Sequence, residues 1–317
     1  NVVFNAEKHP TMKYIDRQRE KVIALRDNLF DDPGNGVFMG KEREFVLSNP
    51  AKNLWKDIHD EAVKYFADNK VSWWKSPNGP SGHLLSSQVA CVNHLFPISQ
   101  SQELATAVLK NVDPTFKKAL KVDEGFVEFE KVGQELLGKE RTLSRGANST
   151  SIDAMMLGEK NDGSKVLVLI EWKYTESYTD TSILFSKSRT SRLENYRELL
   201  EASNCPIKCD NLEAMFYEPF YQLMRQTLLG STMTERKEYG TTDWLHLHIV
   251  PPANKELKER VTSPLLDGKT MEEAWKNLLR QPEKYKVIPP EDFLSPLSES
   301  SETKELADYL EKRYWKN

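Results

Sequence analysis

Asp153, Glu171 and Lys173 combine residue types and spacing that could do chemistry. Glu171 and Lys173 stand in LIEWKYTE, residues 169 to 176, and are the only charges between Val166 and Tyr174 in an otherwise apolar run. Taking an ionised side chain out of water costs several kcal/mol unless it is paired or bound to a metal, so two charges in such a run call for compensation. Residues two apart on a strand share a face, which puts Glu171 and Lys173 together and turns Trp172 and Tyr174 the other way. Asp153, in SIDAMML (151–157), precedes the hairpin signal NDG (161–163), so an antiparallel partner strand could bring its carboxylate beside Glu171. Two acids at one place repel unless a cation neutralises them, and hard oxygen ligands select magnesium or manganese over zinc. The Ile170 backbone carbonyl offers a further oxygen. A cation so held acidifies water, and a neighbouring ammonium can orient that nucleophile or neutralise developing charge on a phosphate.

Such a site needs strands to carry it and helices to bury it. SIDAMML and KVLVLIEWKY (165–174) read as the two strands, FVEFEKV (126–132) as an alternating strand before them and WLHLHIVPP (244–252) as one after. Residues 1–82 read as mostly helical: RQREKVIALRDNLF and NPAKNLWKDIHDEAVKYFADN repeat apolar residues every three or four positions, on either side of the turn DDPGNG. SPNGPSG (76–82) breaks the chain before LLSSQVACVNHLF, an apolar helix that Ser86 or Ser87 could cap. Further helices are expected at about 190–202 and, from Pro219 at a first-turn position, through FYQLMRQTLLG. The remainder reads as helical, with the polar loop SPLSESSET before a terminal helix ending in KRYW. This order gives an α/β sheet covered by helices. The expected divisions are an N-terminal helical region at 1–82, the core at 83–255 and a C-terminal helical extension at 256–317.

With 317 residues and 38% apolar content the chain can bury a sizeable core, and no apolar stretch is long enough to span a bilayer. NVVFNAEKHP is no signal peptide, so a cytoplasmic location is expected. Three cysteines are too few and odd in number for a disulfide framework, and Cys205 and Cys209, without a second pair, read as free thiols. A net charge of −4 excludes a protein that coats nucleic acid non-specifically, so any such contact must use local basic patches.

Asp153 followed by Glu171-x-Lys173 on adjacent strands resembles the PD-(D/E)xK nuclease superfamily, the restriction-endonuclease-like fold, over about residues 84 to 252. SSQ (86–88), RGANSTSID (145–153), IEWKYTE (170–176) and YQLMRQ (221–226) are further similar to an uncharacterised bacterial nuclease-like family within it. Glu-x-Lys recurs at Glu235, Glu256 and Glu302, but only the copy at Glu171 sits in an apolar strand after an Asp strand. The resemblance implies a mixed central sheet flanked by helices, with helical additions at both ends. It also implies a Mg- or Mn-dependent phosphodiester hydrolase, foremost a DNA endonuclease of restriction or DNA-processing type, whose in-line displacement leaves a 5′-phosphate. Asp153 and Glu171 would hold the metal with the Ile170 carbonyl, and Lys173 would assist the attacking water. The partner implied is nucleic acid, DNA first, with a homodimer among the assemblies allowed.

Ile152 replaces the usual proline, and the first core helix lacks the acid that many members carry, leaving Gln88 as its polar candidate. Glu130, which shares a strand face with Glu128, is the chosen substitute acid, against the plainer reading of a solvated face. Gln222, Arg225 and Gln226 fall on one side of their helix and could face phosphate or water; a polar helix face is the alternative. Arg145 with Gly146 reads as a phosphate-contacting loop or an ordinary turn, and Trp73, Trp74 and Lys75 as nucleic-acid contacts or packing. Two other functions stand beside the nuclease: a nucleic-acid-binding or assembly protein that keeps the fold without cleaving, and a zinc hydrolase using His246 and His248.

Overall fold

The computed structural model describes residues 12–122, 124–132 and 150–316. Helix α1 (Tyr14–Leu25) leads into a two-stranded hairpin, β1 (Gly36–Phe38) and β2 (Lys41–Arg43), and then helix α2 (His59–Asp68). The apolar helix of the sequence is α3 (Ser87–Ser99), capped by the Ser86 hydroxyl, which accepts the Val89 N–H at 3.3 Å. It is buried on almost every side, as a helix without a polar stripe must be. Helix α4 (Gln102–Val112) follows, then strands β3 (Phe116–Leu120), β4 (Glu128–Val132), β5 (Ser151–Lys160) and β6 (Lys165–Trp172). Past the short α5 (Arg197–Leu200), the long α6 (Phe220–Glu235) leads to β7 (Asp243–Ile249). The chain closes with α7 (Lys255–Lys258), α8 (Met271–Asn277), β8 (Tyr285–Ile288), α9 (Pro290–Phe293) and α10 (Lys304–Leu310).

β5 and β6 are antiparallel because NDG turns the chain as its residues dictate: Asp162 Oδ1 accepts the Ser164 N–H at 2.9 Å and Gly163 takes φ +85°. β6, β7 and β8 are parallel, and β3 and β4 pair antiparallel with opposite ends of β5, giving one six-stranded mixed sheet. Its central strands are apolar on both faces. Ala154, Val168, Ile170, Trp172 and Leu247 face α3, α4 and the terminal helices; Met155, Leu157, Leu167, Leu169 and Trp244 face α6, α8 and the segment 184–216. Each such side chain, fully buried, contributes about 1.5–3 kcal/mol. Gly230 lets α6 lie close on β6: a Cβ there would stand 2.5 Å from Leu169 Cδ1.

The mixed α/β sheet flanked by helices agrees with the restriction-endonuclease-like fold class. Several elements differ from the sequence reading. Within the long stretch 49–69 only His59–Asp68 is α-helical, after a short 3-10 turn at Pro50–Asn53, and the helix expected at 190–202 is limited to a 3-10 turn at Leu193–Asn195 and the short α5. The hairpin of β1 and β2 stands where helix was expected. β3 and β8 are additional strands, too short to show a period, and β3 carries Lys117 and Lys118, which blunt an exposed edge and lie 3.5 and 3.7 Å from Glu159. Among the described residues no helix is long and apolar enough to cross a membrane.

Candidate active site

The pairing of β5 with β6 ends at Ala154 and Ile170. Beyond that pair a side chain takes over the backbone's role: Asp153 Oδ2 accepts the Trp172 N–H at 2.8 Å. Glu171 follows on β6 and points, with Lys173, to the α6 face, while Trp172 and Tyr174 enter the opposite core, as two-residue periodicity requires. Glu171 and Lys173 are 2% and 5% exposed, and the ammonium lies 2.6 Å from Glu171 Oε1. α6 supplies the remaining partners from residues one turn apart. Gln222 donates to Glu171 Oε1 and accepts from Lys173, both at 2.7 Å, while Gln226 donates to Glu171 Oε2 and, at 3.3 Å, to the Ser151 carbonyl.

The electrostatics follow from this burial. Desolvation, reinforced by the Asp153 charge, pushes the Glu171 carboxyl up to about 8 in spite of Lys173 and Gln226. Burial alone would discharge Lys173, but Glu171 at its side holds the ammonium charged well above the ordinary lysine range. Burial first and the Asp153 charge second thus favour the protonated Glu171 carboxyl, while Glu171 favours the charged Lys173. Tyr178, whose ring centroid is 5.7 Å from the Lys173 ammonium, is itself pushed up to about 12 by burial. Glu218, immediately before the proline that opens α6, is raised by burial and opposed first by Lys173. Neither was singled out in the sequence; an acid next to the Pro219 helix start was the available signal for Glu218.

Gln88 and Glu130 meet each other: Gln88 Nε2 donates to Glu130 Oε1 at 3.0 Å, its own oxygen accepts the Trp74 N–H at 2.7 Å, and Glu130 is buried with φ +54°. Arg225 donates to Thr150 Oγ1 at 3.1 Å and stacks 5.2 Å over Tyr221, at the start of the Asp153 strand. Arg145 and Gly146 lie outside the described residues. Hydrogen-bonded pairs recur at every second residue from Lys160 and Ser164, so Ile170 falls in one with Ala154, and its carbonyl belongs to the sheet. Trp73 is buried and stacks on Phe66 at 4.0 Å, whereas Trp74 is 40% exposed.

His246 and His248 are buried on β7 beside this cluster. Burial, and then the Lys173 charge, pushes His246 down to about 3 and His248 well below its usual value, and Tyr285 Oη lies 2.8 Å from His248 Nδ1. Among the described residues no group of three His, Cys, Asp or Glu side chains could hold a metal, so neither the histidine pair nor the pair of Asp153 and Glu171 has a third such ligand there. The cysteines are free thiols.

The family model described as REase-ARP, restriction endonuclease associating with ARP, matches residues 20–315. The chain belongs to this family. The match spans the sheet, α6 and most of both terminal helical regions, so the REase-ARP sequence pattern includes the helices that bury the site as well as the strands that carry it. No curated protein and no solved structure matches the chain.

Proposed function

We propose that this REase-ARP chain is a metal-dependent phosphodiester hydrolase of the PD-(D/E)xK type, acting on DNA as an endonuclease. The observation that carries the reading is the buried Glu171–Lys173 pair, held by Gln222 and Gln226 beside Asp153 at the point where β5 and β6 part. A purely structural ion pair in a core strand gains nothing from a second acid whose charge disturbs it. A hydrolytic site does.

The donor set fits a hard divalent cation. A cation there would relieve the repulsion of Asp153 and Glu171, and two carboxylates suit magnesium, which keeps several waters and takes further oxygens from substrate phosphate. In this reading Asp153 and Glu171 hold Mg²⁺ or Mn²⁺, and a backbone oxygen nearer the strand end than Ile170 completes the protein's share. When bound, the ion supplies acidification of water and neutralisation of phosphate charge. The chain's own residues do the rest: Lys173 positions the nucleophile or meets the phosphate, Gln222 fixes that ammonium, and Gln226 fixes the Glu171 carboxylate. Gln88 and Glu130 buttress the neighbouring strand, and Arg225 lies where it can reach a phosphate. In the same reading this chain assembles with ARP, which the family's description, restriction endonuclease associating with ARP, supports.

The test is incubation of the full chain with supercoiled plasmid, linear DNA and RNA, with and without magnesium. Mg²⁺-dependent nicking of plasmid is expected. Wild-type protein that binds DNA under every condition without cutting overturns the hydrolase.

A further inference from the structure

An acidic nuclease must concentrate its phosphate contacts, and one segment stands out. The thirteen residues from Thr181 to Leu193, TSILFSKSRTSRL, carry Lys187, Arg189 and Arg192 and no acid, in a chain whose net charge is −4. They form a hairpin closed by the bridge between Phe185 and Ser191, with the turn built by its own hydroxyls and backbone: Ser186 N–H donates to Thr190 O at 2.9 Å, and Thr190 N–H donates to Ser186 Oγ at 3.1 Å. Arg192 spends its charge inward, donating to the carbonyls of Ile183 and Phe185, so it staples the base of the hairpin. Lys187 and Arg189 remain exposed at the tip. Phe185 is 61% exposed although its neighbour Leu184 is buried in the α6-side core. An exposed aromatic beside two exposed cations is what a nucleic acid, with anionic backbone and flat bases, offers partners for.

The hairpin is also fastened to the candidate site. The Ile183 N–H donates to the Phe216 carbonyl at 2.8 Å, just ahead of Glu218 and the start of α6, the helix that carries Gln222 and Gln226. The charges of Lys173, of Arg225 and of Arg192 at the hairpin base all act on Glu218.

We propose that the hairpin Ile183–Arg192 is a preformed finger that grips duplex DNA next to the scissile bond, with Lys187 and Arg189 on backbone phosphates and Phe185 against a base or sugar. This rests on the nuclease reading for its substrate and adds to it the surface that holds the duplex. Self-bonded geometry of the turn means little ordering cost on binding.

The experiment measures binding of a fluorescent DNA duplex by the full chain in Ca²⁺ across a NaCl series, for wild type, Lys187→Ala with Arg189→Ala, Phe185→Ala, and a control with Lys304→Ala and Lys312→Ala. Loss of two phosphate contacts should reduce the slope of log affinity against log salt by about 1.8. Phe185→Ala should weaken binding about five- to hundredfold with the slope unchanged. The control should leave slope and affinity as in wild type. Because the altered side chains are exposed, thermal midpoints should stay with wild type, and plasmid nicking in Mg²⁺ is followed in parallel. Wild-type binding and cleavage with no change of slope in the double variant overturns the finger and leaves the nuclease standing. Slope and affinity losses without any cleavage uphold the finger and overturn the hydrolase. A wild type that binds no duplex at low salt overturns the finger outright, and so does a slope change equalled by the control.

Discussion

Asp153 can be separated into its charge and its hydrogen bond, because one of its oxygens receives the Trp172 N–H at 2.8 Å while its charge acts on Glu171. Asp153→Asn keeps an acceptor of the same shape and removes the charge. The charge-assisted bond then becomes a neutral one, costing about 1 kcal/mol, while relief of the repulsion at Glu171 returns a similar amount at this half-buried position, so the folded state should change by less than about 1 kcal/mol. Asp153→Ala removes the acceptor as well, leaves the Trp172 N–H without it and should cost about 1–3 kcal/mol. Activity should not follow this order: both variants lose a metal oxygen and its charge, so both should lose plasmid cleavage by a factor of at least about 100. Urea unfolding and a magnesium-dependent nicking assay on the same preparations make the comparison. An Asn variant destabilised as much as the Ala variant would mean that Asp153 is a structural ion, and an Asn variant that cuts at the wild-type rate would refute its role at the metal.

Lys173→Ala should abolish cleavage while changing DNA affinity in calcium only a few-fold, since one ammonium is a small part of the backbone attraction; equal loss of both would point to a binding surface. The same variant strands a buried acid and should lower stability by about 3 kcal/mol in urea unfolding. Asp32 is buried and accepts from Gly34 N, Ser48 N, Ser48 Oγ and Asn49 N at 2.8–2.9 Å; burial works against its charge, but these bonds win and hold its carboxyl below the usual range. Its contribution is therefore complete above the unfolded-state value of about 4 and is lost as pH falls through the lower folded value, so Asp32→Ala should cost about 2 kcal/mol at pH 7 and the gap to wild type should close at acid pH. Gly230→Ala puts a Cβ 2.5 Å from Leu169 Cδ1, which should push α6 off β6, cost about 1–3 kcal/mol and slow cleavage by displacing Gln222 and Gln226; unchanged kinetics would show that Leu169 simply turns aside.

What the sequence made legible was whatever is written in local period and turn chemistry. The NDG hairpin, the apolar run around Glu171 and Lys173, the Ser86-capped helix and the Pro219 helix start each depend on residues within a few positions, and each stands where expected. The shared face of Glu171 and Lys173, and the two glutamines on α6, followed from the periods of strand and helix. β3 and β8 escaped because four or five residues with two lysines, or YKVI, are strands only by virtue of a neighbour to pair with. The bond between Gln88 and Glu130 joins residues 42 apart, and nothing local announces it. Tyr178 likewise reaches Lys173 by the path of an irregular segment.

Arg313 is fully buried with no acidic partner among the described residues, bonded through its guanidinium to the Asn53 carbonyl and side chain and to Tyr309, with Tyr314 accepting from Asn93 at 3.0 Å. The sequence separation of 260 between Asn53 and Arg313 makes this a latch between the two ends of the described chain. Until Arg313 has left the ribosome, the α3 face of the sheet lacks a wall, and the Asn53 side-chain oxygen lacks the donor that Arg313 supplies. Such distant closure slows folding. During synthesis the same closure holds a chain that already carries Asp153, Glu171 and Lys173 short of this fold until the segment bearing Arg313 docks on Asn53.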